Sequence, residues 1–366
     1  MRVAVVFGGR SSEHGVSCLT AADVLRALDA ERYEVVPVGI AIDGRWVLES
    51  VDPQRFAIAD GRLPEVDGSR TAVALRPAAD GGLVVSEPGQ VPHALGKVDV
   101  VLPLLHGPWG EDGTLQGLLE TTGVRYVGAG VLASALGMDK EFMKIALAAA
   151  GLPQLPYVAV RPSRWRHDRE AVLREIAGLG LPVFVKPARA GSSFGISRVE
   201  RSEDLDDAIA VAAEHDPKVV VEAAALGARE LECGVLGGDG ADAPRASVVG
   251  EIVLDASSGH SFYDFEAKYV DGTATLQIPA DLPEDASAWL REAAVRAFEA
   301  IGGEGLARVD FFALPDGRLV VNEINTMPGF TPTSMFPRLW AATGVPYPAL
   351  VDRLLGLALS RPLGLR

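Results

Sequence analysis

Cysteine is scarce in this chain: there are two in 366 residues, Cys18 and Cys233, far apart. That excludes a disulfide framework as the source of stability, and reduced thiols of a cytosolic protein are expected. Long apolar runs are also lacking. No stretch approaches the ~20 residues that a membrane-spanning helix needs. The opening "MRVAVVFGGR" holds a short apolar run that breaks at glycines, which reads as a first β-strand and not a secretion signal. Positive charge is in deficit, with 34 Lys and Arg against 49 Asp and Glu, a formal net charge of −15. This argues against a nucleic-acid surface, which needs a basic patch to offset phosphates. It does not exclude a nucleotide, because bound magnesium supplies local positive charge. Histidine is sparse, six in all and without ligand spacing such as His-x-x-x-His, so histidine metal ligation is not expected. The expectation is a cytoplasmic protein with no membrane and no nucleic-acid partner.

What is present reads as a globular protein of two or three domains, 48% hydrophobic and 23% charged. In the first third, strands alternate with helices: "RVAVVFGG", "YEVVPVGI", "VDVVLPLLHG" and "VRYVGAG" against "SCLTAADVLRALDA" and "GTLQGLLETTG". That alternation predicts a parallel, doubly wound sheet. Residues 51–93, rich in Pro, Gly and Asp, read as an irregular excursion. "MDKEFMKIALAAAGLP" is a helix with Asp139 at its N-cap and Gly151 past its end, and it places Lys140 and Lys144 one turn apart on one face. The last third is strand-rich, interrupted by a helix for which Asp281 and Glu284 have capping-box spacing.

The sharpest chemical signal is "LARVDFFALPDGRLVVNEIN". Asp316-Gly317 is a strong hairpin signal. A turn centred between them sets Asp310 opposite Glu323 and Arg308 opposite Asn325, all on one face, while Val309, Phe311, Val320 and Ile324 form the buried face. Pro315 lacks a donor, so a longer turn, and a one-residue slip with it, stays open. Adjacent carboxylates repel unless a cation sits between them, and magnesium is typically held by one or two carboxylates plus substrate phosphates. The bland alternative is a solvated face with an Arg–Glu pair. In "KPARAGSSFGI", Lys186 ends a strand and the Gly/Ser run can fold over phosphates, although it is not a Walker A loop; alone it is an ordinary turn. In "LLHGPWGEDGTLQG", His106 follows a strand at the edge where α/β sheets bind ligands, or is a satisfied loop histidine. "FYDFEAKYVDGTATLQIPA" suits a loop closing over a site, or a plain surface loop.

Together, "GGRSSEHGVS", "HGPWGEDGTLQG", "GMDKEFMK", "KPARAGSSFGIS", "FYDFEAKY", "RVDFF" and "NEINTMPGFTPTSMFP" resemble the D-alanine–D-alanine ligase family of the ATP-grasp superfamily, in the family's order from Val3 to about Trp340. The resemblance implies an α/β protein with an N-terminal Rossmann-like parallel sheet (1–135) and two α+β domains (136–221 and 222–366) that grip ATP. It implies an acylphosphate formed from ATP and one D-alanine and attacked by the amine of a second. Asp310, Glu323 and Asn325 match the ligands of two magnesium (or manganese) ions, and Lys144 and Lys186 match phosphate-contacting lysines. Ser193 and Phe312 fall in the ATP site; Glu222 and Glu230 match the acidic residues near adenine and ribose. Arg308 and the backbone N–H of Gly329 match the donors to the developing oxyanion.

The same resemblance answers what the first turn holds. "GGRSSEHGVS" lacks the Gly-x-Gly-x-x-Gly pattern, and an acidic Glu13 repels a pyrophosphate but welcomes an ammonium. In the family the matching Glu binds the first D-alanine's amino group with a Ser and a Tyr, here Ser192 and Tyr269. His106 belongs to the substrate site, and Lys268, Ser334 and the backbone of Met335 hold the second D-alanine's carboxylate. Tyr269 in "EAKY" matches members that use an amine acceptor, and the family is usually homodimeric. Gly15 departs from the family's usual Glu, Ala223 and Ala224 replace a bulkier pair, and residues 51–93 receive no role. Another ATP-grasp carboxylate–amine ligase and a nucleotide-binding module without catalysis remain as alternatives; the missing dinucleotide glycines disfavour a dehydrogenase.

Overall fold

Three sheets organise the chain in the computed structural model, which describes residues 1–363 except 60, 77, 79, 80, 88, 192, 193, 240, 241 and 255–273. The first contains β1 (Arg2–Gly8), β2 (Glu34–Ile40), β3 (Trp46–Leu48), β4 (Ala72–Leu75), β5 (Gly82–Ser86), β6 (His93–Lys97) and β7 (Val100–Pro103), in the order β6-β5-β4-β3-β2-β1-β7. Only β2, β1 and β7 run parallel; β3 to β6 add on antiparallel. The expected parallel sheet is therefore mixed. The turn after β2 is too short for a crossover, so the chain doubles back as a hairpin. Residues 51–93 are not irregular throughout, since they supply β4 and β5 and the start of β6. "VRYVGAG" makes only a bridge, Tyr126 to Val101. Helices α1 (His14–Ala27) and α2 (Thr114–Thr121) accompany this sheet, whereas α3 (Val131–Met138) leads away from it and joins the core of the third sheet through Ala133.

The second sheet is antiparallel: β8 (Tyr157–Val160), β9 (Val183–Pro187), β10 (Ser197–Val199) and β11 (Val219–Ala223), in the order β10-β9-β11-β8. Helix α4 (Lys140–Ala149) precedes it, capped by the Asp139 carboxylate, which accepts the N–H groups of Glu141 (3.2 Å) and Phe142 (3.3 Å). Helices α5 (Pro162–His167), α6 (Arg169–Ala177) and α7 (Leu205–His215) complete this part, and α6 and α7 join the core behind the sheet.

The third sheet joins β12 (Arg229–Leu236), β13 (Arg245–Leu254), β14 (Ala274–Gln277), β15 (Leu306–Ala313) and β16 (Leu319–Asn325) in the antiparallel order β14-β13-β12-β15-β16. Helix α8 (Glu284–Ala300) covers its back with α4, burying Leu290, Phe298, Met143 and Leu147 against Val309 and Phe311. Pro283 sits at the N-cap of α8 with no side-chain cap, so the Asp281–Glu284 box does not form.

Helices α9 (Met335–Ala342) and α10 (Tyr347–Ser360) return to the first sheet. Val3, Phe7 and Leu102 share one core with Phe336, Trp340 and Leu354. Trp340 is fully buried there. Trp340→Ala is expected to lower stability by about 3–5 kcal/mol in urea unfolding; a loss below about 1 kcal/mol would show that the two ends of the chain do not depend on this shared core. Among the described residues no helix is long and apolar enough to cross a membrane.

Candidate active site

The hairpin between β15 and β16 carries the central chemistry. Its turn is one residue longer than expected. Gly317 N–H donates to the Leu314 carbonyl (2.9 Å) and Leu314 N–H to the Arg318 carbonyl (2.8 Å), with Gly317 at φ 88°. By itself that would slip the register. A bulge between the Asp310–Glu323 and Phe311–Val321 pairs restores it, so Asp310 faces Glu323 and Arg308 faces Asn325. The bulge also exchanges two valines: Val321, not Val320, joins Val309, Phe311 and Ile324 in the core.

On the polar face the side chains are locked together. Arg308 donates from Nε to Asp310 Oδ1 (2.7 Å) and from Nη2 to Oδ2 (2.8 Å), and its Nε lies 2.9 Å from Glu232 Oε2 on the neighbouring strand. Asn325 Nδ2 donates to Asp310 Oδ2 at 3.0 Å. Burial alone would lower the Arg308 pKa, but Asp310 and Glu232 outweigh it and hold the guanidinium charged, well above its ordinary value.

Across the cleft, β9 presents Phe184 and Lys186, and β11 presents Glu222. The Glu222 carboxylate takes the Lys144 ammonium on Oε1 and Lys186 Nζ on Oε2, the latter at 2.7 Å. Burial would raise the Glu222 pKa; Lys186 and Lys144 outweigh it and hold the carboxyl at about 2. Lys144 is thus committed behind the wall, 2% exposed, and does not line the cleft. Lys140, one turn earlier, does, and its Nζ donates to the Ala190 carbonyl at 2.9 Å. Since Lys140 and Lys144 are four residues apart, helical spacing gives them nearly the same direction. The contact of α4 with β11 is what separates their roles. The Glu222 side chain likewise serves the lysines.

The first turn enters the same cleft, which measures about 510 Å³, a usual size for a small-molecule site. Gly8 N–H donates to Ser17 Oγ (2.8 Å), whose hydroxyl donates to the Leu104 carbonyl (2.6 Å). Ser11 Oγ donates to the His106 carbonyl at 2.7 Å. These bonds set Glu13, 8% exposed, at the start of α1. Its carboxylate lies between two backbones: a Cβ on Gly191 would come within 2.6 Å of Glu13 Oε2, and one on Gly107 within 2.8 Å. Gly191→Ala should therefore displace the carboxylate. The expected result is a fall of about 10²-fold in kcat/KM for an amino-acid substrate, as an ångström-scale misplacement costs, with ATP binding retained. Unaltered kinetics would mean that Glu13 does not touch substrate.

The acidic pair of "HGPWGEDG" ties the loop. Asp112 accepts the N–H groups of Trp109 (2.8 Å) and Thr114 (3.0 Å). Glu111 accepts Gly107 N–H (2.7 Å) and, from the turn after β16, Met327 N–H (2.9 Å). Burial and then the nearby Glu13 push the Glu111 pKa up to about 8. His106 is buried, which lowers its pKa, and its Nδ1 donates to the Met327 carbonyl at 3.1 Å. Its Nε2 has no partner among the described residues.

The cleft is also lined by Glu230, Phe312, Gly329, Ser334 and Met335. Ser334 stands at the N-cap position of α9 without a side-chain cap, its Oγ 2.7 Å from Thr331 Oγ1. Ser192, Ser193, Lys268 and Tyr269 lie outside the described residues. Glu111, Glu232 and Lys140 had received no role from sequence. Glu111 and Lys140 stand inside quoted motifs and could have been flagged, whereas Glu232 stands in a plain strand and carried no signal.

The donor set suits a hard divalent cation. Asp310, Glu323 and Asn325 offer only oxygen on one face, and among the described residues no cluster of three or more His, Cys, Asp or Glu forms a cage. Two carboxylates that need further oxygen ligands are what magnesium uses when phosphates complete its shell.

Comparison with known proteins agrees with this geometry. Family profiles described as D-ala D-ala ligase N-terminus and C-terminus match residues 2–129 and 146–356. The D-alanine--D-alanine ligase of Kineococcus radiotolerans is 60% identical, with 100% of this chain and 98% of that protein covered. The enzyme of the same name from Paenarthrobacter aurescens (strain TC1) is 58% identical, covering 100% and 97%. Among solved structures, VanG D-Ala:D-Ser ligase from Enterococcus faecalis matches with a TM-score of 0.82 at 36% identity, covering 98% of this chain and 99% of its own. The D-alanine-D-alanine ligase from Coxiella burnetii matches with a TM-score of 0.82 at 33% identity, covering 99% and 94%. Matched along its length by these profiles and relatives, the chain belongs to the D-alanine–D-alanine ligase family of ATP-grasp enzymes.

Proposed function

We propose that the chain joins two D-alanines at the expense of ATP, through D-alanyl phosphate, giving D-alanyl-D-alanine, ADP and phosphate for peptidoglycan synthesis. The observation that carries this reading is the meeting of Glu13 with the Arg308–Asp310–Glu323–Asn325 face in one cleft. Glu13 receives the ammonium of the first D-alanine, which points its carboxylate toward Arg308 and the phosphate-binding side. Lys140 and Lys186 hold phosphate oxygens, Lys186 being kept in place by Glu222. Asp310, Glu323 and Asn325 would hold two magnesium (or manganese) ions, which would supply charge to neutralise the phosphates. Arg308 and the Gly329 backbone N–H stabilise the oxyanion as the second amine attacks the acylphosphate carbonyl and phosphate leaves. Such chemistry asks for positioning and charge more than for covalent help.

His106, with Nδ1–H held by the Met327 carbonyl, offers Nε2 as an acceptor beside the first substrate. Glu230 and Phe312 line the nucleotide end, and Ser193 closes over its phosphates. Ser334 and Met335 at the start of α9, with Lys268, take the acceptor's carboxylate; Ser192 and Tyr269 complete the Glu13 set. On this reading the units are 1–135, 136–221 and 222–366, and the protein works as a cytoplasmic homodimer. Product identification after incubation with ATP, magnesium and D-alanine tests it. D-alanyl-D-alanine with matching phosphate, and none from ATP alone, is expected. A mixed product when D-serine is offered with D-alanine would move the acceptor assignment toward the D-Ala:D-Ser ligases, and no dipeptide at all would overturn it.

A further inference from the structure

We infer that residues 61–70, a segment of the 51–93 excursion, act as a buttress that holds the first-substrate seat through His14; this rests on Glu13 being that seat. The His14 ring is 4% exposed and spans the two parts. Its Nδ1 lies 2.6 Å from the Gly9 carbonyl, and its Nε2 lies 3.0 Å from the Val66 N–H. A carbonyl can only accept and an N–H can only donate, so the ring is the neutral tautomer with its proton on Nδ1. Gly9 begins the turn that leads to Glu13, and His14 follows Glu13 directly. One imidazole therefore clamps both ends of the seat to the backbone of Val66.

The segment is built to press on that turn. Leu63 packs against the first turn of α1 so closely that a Cβ on Gly15 would meet Leu63 Cβ at 2.5 Å, which explains the glycine where the family usually has glutamate. The segment is anchored at both flanks by Glu49, whose side chain is fully buried and takes Arg55 Nε at 3.3 Å and Arg70 Nη1 at 3.2 Å. Phe56 adds an edge contact to Phe7 on β1, with centroids 4.8 Å apart. His14 makes no contact with the cleft and is absent from its lining, so it is a positioning residue.

Two isosteric replacements separate the halves of the clamp. In His14→Asn, the amide reaches the Gly9 carbonyl but not Val66. In His14→Gln, it reaches Val66 but not Gly9. Each is expected to raise the KM for the first D-alanine about fivefold to tenfold, as loss of one buried hydrogen bond does, with the ATP KM and kcat at saturation within about twofold. Amide hydrogen exchange at Val66 should speed up in His14→Asn and stay slow in His14→Gln. In the unaltered protein D-alanine binding should slow that exchange, although Val66 lies outside the cleft, because coupling is reciprocal. Unchanged first-site KM in both variants, an equal rise in the ATP KM, or Val66 exchange indifferent to D-alanine overturns the inference. Glu13→Gln distinguishes the levels: a raised first-site KM there with normal His14 variants removes only the buttress, whereas a normal KM in Glu13→Gln removes the seat and the buttress with it.

Discussion

Glu323→Gln is expected to lower turnover by about 10³-fold, a loss of several kcal/mol of charge stabilisation. The replacement keeps the size of the side chain and removes one of the two carboxylates that β15 and β16 place opposite each other. Asp310 alone cannot compensate, because its single negative charge is already shared with the Arg308 guanidinium and the Asn325 amide, so it offers a cation less than two carboxylates do. Phosphate release at saturating substrates reads the loss, and the magnesium concentration at half-maximal rate should rise with it. Urea unfolding should change by less than about 1 kcal/mol, since Glu323 lies on the cleft face and outside the core. Turnover within a few-fold of normal would place the cation elsewhere.

Arg308→Lys is expected to lower kcat by about 10²–10³-fold with smaller changes in either KM, the cost of one donor aimed at developing negative charge. The charge is retained, so any loss reports geometry. The planar guanidinium binds both oxygens of Asp310 and also meets Glu232. A lysine ammonium is a point charge that cannot bridge two carboxylates on different strands and still face the cleft. Pre-steady-state phosphate formation against product formation locates the affected step, which should be attack by the second amine. Near-normal kcat would reduce Arg308 to a counter-ion for Asp310 and Glu232.

Much of this was legible in the chain itself because it is local. Alternating polar and apolar residues in "RVDFF" and "NEIN" placed Arg308, Asp310, Glu323 and Asn325 on one side, and Asp139 capped its helix as its position demanded. An acidic residue in a phosphate-loop-like turn was enough to disfavour a pyrophosphate. Where sequence reasoning erred, two local rules conflicted or a distant contact intervened. The Pro315-Asp316-Gly317 turn takes one residue more than Asp-Gly alone suggests, and only the bulge in β16 returns the carboxylates to register. A turn rule cannot foresee that bulge, because the packing of Val321 into the core fixes it.

Residue types and their facing were legible along the chain: which strands carry charge on one side, where the helix after Asp139 starts, and that two cysteines and six histidines offer no framework. The tertiary structure alone decided which of two equivalent lysines meets the cleft, since Glu222, 78 residues from Lys144, captures that lysine behind the wall. It likewise decided that Glu13 lies between Gly107 and Gly191, and that Leu63 and Val66 press on the turn from an excursion with no pattern of its own. Periodicity is a property of neighbours along the chain. Contacts between residues far apart in sequence follow from how apolar faces stack, which no local window contains.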